Sequence, residues 1–270
     1  MVAHLCEDLS EAASKGHDAC VRTLIAAGAN VNANDIADLG QTPLKMAAHG
    51  GHNDCVRMLI DAGANVNASD IFLITPLILA VREGHGACTQ MLIDAGANPN
   101  VADTQGWSPL HWAVWYGHDA CARTLIDIGA NVNVADVVGR TPLYLAARGG
   151  HSVFIQKLVN AGANPYVVDN DGKTPLCVAV QKGHKEFVKT LLVCILTERA
   201  LRDDEWDLIS PDSNIGHLLP TVMTRDGRDA AAKLVSKLSE ANRIVLQTAA
   251  MCLSHFVSRD LVEQILVRCV

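Results

Sequence analysis

The chain has 270 residues, 49 % of them apolar and 19 % charged, with a formal net charge of −7. That is ample apolar material for one or two buried cores, and the acidic balance argues against partners recognised through phosphates, so neither nucleic acid nor an anionic membrane is expected. The opening "MVAHLCEDLSEAASKGHDAC" lacks a basic segment followed by an apolar run, no stretch approaches ~18 uninterrupted apolar residues, and the nine Cys point to reduced thiols in the cytosol or nucleus.

In chain order, one set of punctuation marks recurs. Thr42-Pro43, Thr75-Pro76, Ser108-Pro109, Thr141-Pro142 and Thr174-Pro175 follow at steps of 33. Gly-His recurs at Gly16, Gly51, Gly84, Gly117, Gly150 and Gly183, and Gly-Ala-Asn at Gly28, Gly63, Gly96, Gly129 and Gly162. The first step is 35, and its two extra residues fall between Asp35 and Thr42, which predicts a longer first connecting loop. A hydroxyl residue before Pro caps a helix whose first position needs no N–H, so each Thr-Pro or Ser-Pro predicts a helix start. The Gly of Gly-His ends that helix, and a second helix with apolar pairs such as Cys20-Val21 and Leu24-Ile25 runs to Gly-Ala-Asn. Each unit therefore reads as two short antiparallel helices and a turn.

The stretch "GWSPLHWAVWYGHDACARTLIDIGANVNVAD" resembles the ankyrin repeat, and the likeness extends over roughly residues 1–200. The expected fold is an all-α solenoid of six stacked helix pairs over 1–202. Its first unit is abbreviated, with Glu7-Asp8-Leu9 where the others have Thr-Pro-Leu, and is similar to an N-terminal cap. In the sixth unit Ile195-Leu196-Thr197 stands where Gly-Ala-Asn is due, so the helix from about Lys185 should run on toward Arg202.

The six His of the Gly-His pairs fall one per unit, about 10 Å apart in such a stack, too far to share an ion. The resemblance implies instead that each imidazole ties neighbouring turns together. Cys20, Cys55, Cys88 and Cys121 share a position that Phe154 and Phe187 occupy later, which marks a core site and predicts four buried thiols. No C-x-x-C spacing, phosphate loop, H-E-x-x-H or G-x-S-x-G occurs, so no catalytic residue, metal ligand or cofactor is expected and the protein reads as non-enzymatic.

Beyond the array, the period breaks. Asp203, Asp204, Glu205 and Asp207 with Ser210-Pro211-Asp212 form a connector, and three helical patterns follow, with Asp226, Ser239 and Ser258 as caps. The extension 203–270, weakly similar to an armadillo or HEAT unit, is expected to cover the last apolar face of the stack.

In ankyrin arrays the turn tips and the exposed side of each first helix form a concave groove for a partner polypeptide. Carried onto this sequence, the third unit contributes Ile71, Phe72 and Ile74, the fourth Trp107, Trp115 and Tyr116, the fifth Val137, Val138, Arg140 and Arg148, and the sixth Lys173. The aromatic residues are expected to anchor an apolar protein segment, with Arg140, Arg148 and Lys173 as a basic rim. Trp112, inside the first helix, is expected to be mainly structural. Leu73 stands where a tip Gly is usual, which adds apolar surface and puts the turn geometry there in question. The alternative function is an adaptor or scaffold whose C-terminal extension makes the decisive contact while the array acts as a spacer. Oligomeric state is left open.

Overall fold

The computed structural model describes residues 6, 8–33, 40–188, 190, 191 and 194. The punctuation marks become helix pairs: α1 (Leu9–Ser14) with α2 (Asp18–Ala26), α3 (Pro43–Gly50) with α4 (Asn53–Asp61), and α5 (Pro76–Arg82) with α6 (Gly86–Asp94). Then come α7 (Pro109–Tyr116) with α8 (Asp119–Asp127), and α9 (Pro142–Gly149) with α10 (Ile155–Asn160), which is entered through a 3-10 turn at Ser152–Phe154. The helix α11 (Pro175–Lys182) opens a further unit, in which residues 185–188, 190, 191 and 194 are also helical. The run expected toward Arg202 from 195 on, and the extension 203–270, lie outside the described residues, as does most of the longer first loop, 34–39. Among the described residues there is no strand beyond a single bridging residue at Gln41, in keeping with an all-α solenoid.

The caps act as their chemistry requires. The hydroxyls of Thr42, Thr75, Thr141 and Thr174 accept from the backbone N–H three residues on, and Ser108 forms a reciprocal capping box with His111. In the first unit the side chain of Asp8 accepts from the N–H of Glu11 and so replaces the missing Thr. The first helices α3, α7, α9 and α11 end on Gly residues in the left-handed region, at φ 69° to 78°.

Successive first helices pack on one another from α1 to α11, and the second helices form a parallel layer from α2 to α10. First helices are enclosed on several sides, so Pro76 to Val81 of α5 are all buried, whereas α4 buries only Cys55, Val56 and Leu59 on one face. Cys55, Cys88 and Cys121 are buried as expected, but Cys20 is only half-buried. The reason is its position. Cys55, Cys88 and Cys121 reach back to Asp18, Asn53 and Thr89 of the preceding unit, and among the described residues no unit lies ahead of the first.

Two ladders bind neighbouring units. The Nε2 atoms of His52, His85, His118, His151 and His184 lie 3.0–3.3 Å from the backbone carbonyls of Ser14, His49, Arg82, Trp115 and Arg148. Along the loops, the side-chain carbonyls of Asn32, Asn67, Asn100 and Asn133 accept from the N–H of Asn65, Asn98, Asn131 and Asn164 in the next unit. The amides of Asn32, Asn67 and Asn133 also donate to Gly63, Gly96 and Gly162.

Candidate functional site

From the third unit to the sixth, each turn tip is built on one aspartate. The Oδ1 atoms of Asp70, Asp103, Asp136 and Asp169 accept from the backbone N–H groups two and four residues on, at 2.8–3.0 Å. These bonds fold the chain into a turn that needs a left-handed residue, supplied by Gly106, Gly139 and Gly172 in the last three of them. Leu73 adopts the same conformation at φ 61°, and its N–H still donates to the carbonyl of Asp70. The questioned turn thus keeps its geometry, at a conformational cost of about 1 kcal/mol, and Leu73 remains about half exposed.

The second oxygen of each aspartate finds a different partner. Lys45, with its side chain fully buried, places Nζ 2.8 Å from Asp70. The indole of Trp112 donates to Asp103 at 3.1 Å, and that of Trp107 to Asp136 at 3.0 Å. Arg140 also grips Asp136, through Nε at 2.7 Å and a terminal nitrogen at 2.6 Å. The hydroxyl of Tyr144 donates to Asp169 at 2.5 Å. Burial alone would push the Asp136 carboxyl up, but the Arg140 guanidinium and the N–H bonds from Arg140 and Val138 hold it below the usual carboxylate range. Asp169 is lowered likewise, with Tyr144, Lys173 and Asp171 outweighing burial, while burial and the bond to Asp169 push the Tyr144 phenol up.

The aromatic residues of the fourth unit form one packed group. Trp107 lies 4.6 Å from Trp112 and 5.7 Å from Trp115 between ring centroids, and Tyr116 stacks on Trp112 at 5.9 Å with the rings 11° apart. Each Trp carries a guanidinium: Arg140 over Trp107 at 5.7 Å, Arg148 over Trp115 at 5.6 Å and Arg82 over Trp112 at 6.0 Å. Trp107, Trp112 and Trp115 are half-buried against the core, and Ile74 is half-buried too. Tyr116 is 51 % exposed.

Exposed apolar side chains sit on two tips: Ile71, Phe72 and Leu73 in the third unit, and Val137 and Val138 in the fifth. The tips are stitched in sequence, with Thr104 N–H donating to the Phe72 carbonyl, Val137 N–H to Gln105 and Asn170 N–H to Val138. Apolar and polar tips alternate along this edge. Of the three rim cations, Arg140 is neutralised by Asp136 and Lys173 lies 3.7 Å from Asp171. Among the described residues no carboxylate lies within ion-pair reach of Arg148.

Sequence reasoning did not foresee the tip partners, which join residues up to 29 positions apart, nor the grouping of Cys6, His17 and Cys20, whose donor atoms lie within 4.8 Å of one another. The signal for the latter was His17-x-x-Cys20, hidden because three later units repeat it.

Among the described residues no helix is long and apolar enough to cross a membrane. No curated protein gives a significant match to the chain. A family model described as "Ankyrin repeats (3 copies)" matches residues 9–70, 67–136 and 129–198, which together make up more than half of the chain. With the stacked helix pairs, the capped Thr-Pro starts and the histidine ties in the same register, this match places the chain in the ankyrin repeat family.

Proposed function

We propose that the protein is a non-enzymatic binding module that holds a partner polypeptide across the concave, tip-bearing side of the array. Ankyrin repeats are generally protein–protein interaction modules. The observation that carries the finer reading is the pair of exposed apolar tips, Ile71-Phe72-Leu73 and Val137-Val138, joined through the Thr104-Gln105 tip by backbone hydrogen bonds. The partner segment presents apolar side chains to these tips and to Tyr116, which its stack on Trp112 holds ready at little entropic cost. Trp107, Trp115 and Ile74 support that surface from beneath, and Arg148, backed by Arg140 and Lys173, favours an acidic group beside the segment.

The same reading takes the array to run through a sixth unit to about residue 202, with 203–270 as a helical cap. The nine Cys, an odd number, favour a reducing compartment, the cytosol or nucleus.

The test places a photo-crosslinking residue at Phe72, Tyr116 or Val137 of the full chain, with Arg57 on the second-helix layer as the control. Partner adducts at the first three sites and none at Arg57, with those at Tyr116 and Val137 lost on adding Phe72→Ser and Val138→Ser, support the groove. Undiminished capture by a chain carrying both substitutions, together with capture by 203–270 alone, would move the function to the extension as an adaptor.

A further inference from the structure

We propose that Cys6, His17 and Cys20 form a binding site for one thiophilic metal ion, zinc(II) foremost, at the free end of the array. The two Sγ atoms and a ring nitrogen of His17 lie within 4.8 Å of one another, and Cys6 Sγ is 3.1 Å from His17 Nδ1. Tetrahedral zinc with sulfur at ~2.3 Å and nitrogen at ~2.0 Å places its ligand atoms roughly 3.5–3.8 Å apart. Small side-chain rotations would bring these three donors to that spacing.

The position in the fold explains why, among the described residues, these donors group only here. His17 is the N-cap of α2 and Cys20 lies on its first turn, so the two share one face. The equivalent pairs His52/Cys55, His85/Cys88 and His118/Cys121 are all turned toward the preceding unit, the imidazoles to a carbonyl and the thiols to Asp18, Asn53 and Thr89. No unit precedes the first among the described residues. Cys6, just ahead of α1, instead meets His17, and it has no counterpart in the later units.

A Cys2His donor set selects zinc or copper(I) over the hard divalent ions. The cysteines bind as thiolates and the imidazole as its neutral form, so each ion taken up releases two protons from the thiols to solvent and binding strengthens as pH rises. Three protein ligands leave one coordination position for water or a fourth group. The ion would link the start of the chain to α2 and stabilise the terminal unit.

The test is titration of the reduced full chain with cobalt(II), a spectroscopic stand-in for zinc, while recording thiolate-to-cobalt charge-transfer absorption. One equivalent should develop the band, and one equivalent of zinc should abolish it. The band should vanish in Cys6→Ser and in His17→Gln and persist in Cys88→Ser, Cys252→Ser and Cys269→Ser, with circular dichroism confirming that each variant is folded. Zinc should raise the melting temperature of the wild type and leave that of Cys6→Ser unmoved. Absence of the band in wild type, or an equal band in folded Cys6→Ser, would overturn the site. A Cys6–Cys20 disulfide in protein isolated under reducing conditions would do the same.

Discussion

The two edges of the array treat the 33-residue period in opposite ways. Along the loop edge, the same asparagine contact recurs between units, and the histidine ties repeat at the other end of the second helices. Along the tip edge the backbone turn is equally constant, yet the outer oxygen of each aspartate is satisfied by an ammonium, an indole, an indole with a guanidinium, or a phenol. The invariant half of each tip folds the turn within its own unit, while the recurring asparagine and histidine contacts join one unit to the next. The variable half is where units differ chemically without altering the fold, and among the described residues no buried side-chain polar atom is left without a partner.

The largest expected effect breaks the tip edge at its most buried point. Lys45→Met leaves the Asp70 carboxylate without its counter-charge and should cost about 3–5 kcal/mol in urea unfolding. Lys45→Met with Asp70→Asn should recover part of that loss, and equal stability of the single and double variants would show that the ion pair is not the cause. On the loop edge, Asn67→Ala removes contacts to Asn98 and Gly96, a loss of about 1–2 kcal/mol for two exposed hydrogen bonds.

Smaller still, Leu73→Gly should raise stability by about 0.5 kcal/mol, the relief of a left-handed leucine less the entropy cost of glycine, while weakening partner binding by removing exposed apolar surface. The fourth expectation concerns pH. His111 is held below its ordinary pKa by burial. Its Nδ1 faces the N–H of Ser108 at 3.1 Å, so a proton there would confront a donor, while Nε2 sits 3.0 Å from the Arg140 carbonyl. Because the folded value lies below the unfolded value of about 6.5, this contribution is complete above that pH and is lost as pH falls through the folded value. Melting curves of wild type and His111→Asn should converge as pH drops through this window. A difference that stays constant with pH would show that His111 is not the titrating group.

The spacing made much of the fold legible because caps and terminators act locally: a Thr before Pro finds its N–H three residues on whatever surrounds it. The candidate surface was less legible. Trp107 and Trp115 sit at positions the repeat does not require to be apolar, yet both turn inward, because an aspartate 29 residues on and a guanidinium from the next unit offer partners that no local pattern encodes. Tyr116, Phe72 and Val138 do remain exposed. Cys20 differs from its equivalents because burial in a stack depends on having a unit on each side. Leu73 shows the converse: three hydrogen bonds to Asp70 override the backbone preference that put this turn in question.

The asparagine ladder also bears on how the array could change length. Removing residues 71–103 joins Asp70 to Thr104 and brings Asn67 opposite Asn131, a residue of the same type as its present partner Asn98. The loop edge would splice without a seam. At the tip edge, Lys45 would still meet Asp70, but Trp112 would face that same carboxylate in place of Asp103. Copying or losing whole units is therefore permitted by one edge and policed by the other, so that neighbouring units inherit each other's tip chemistry as a matched set.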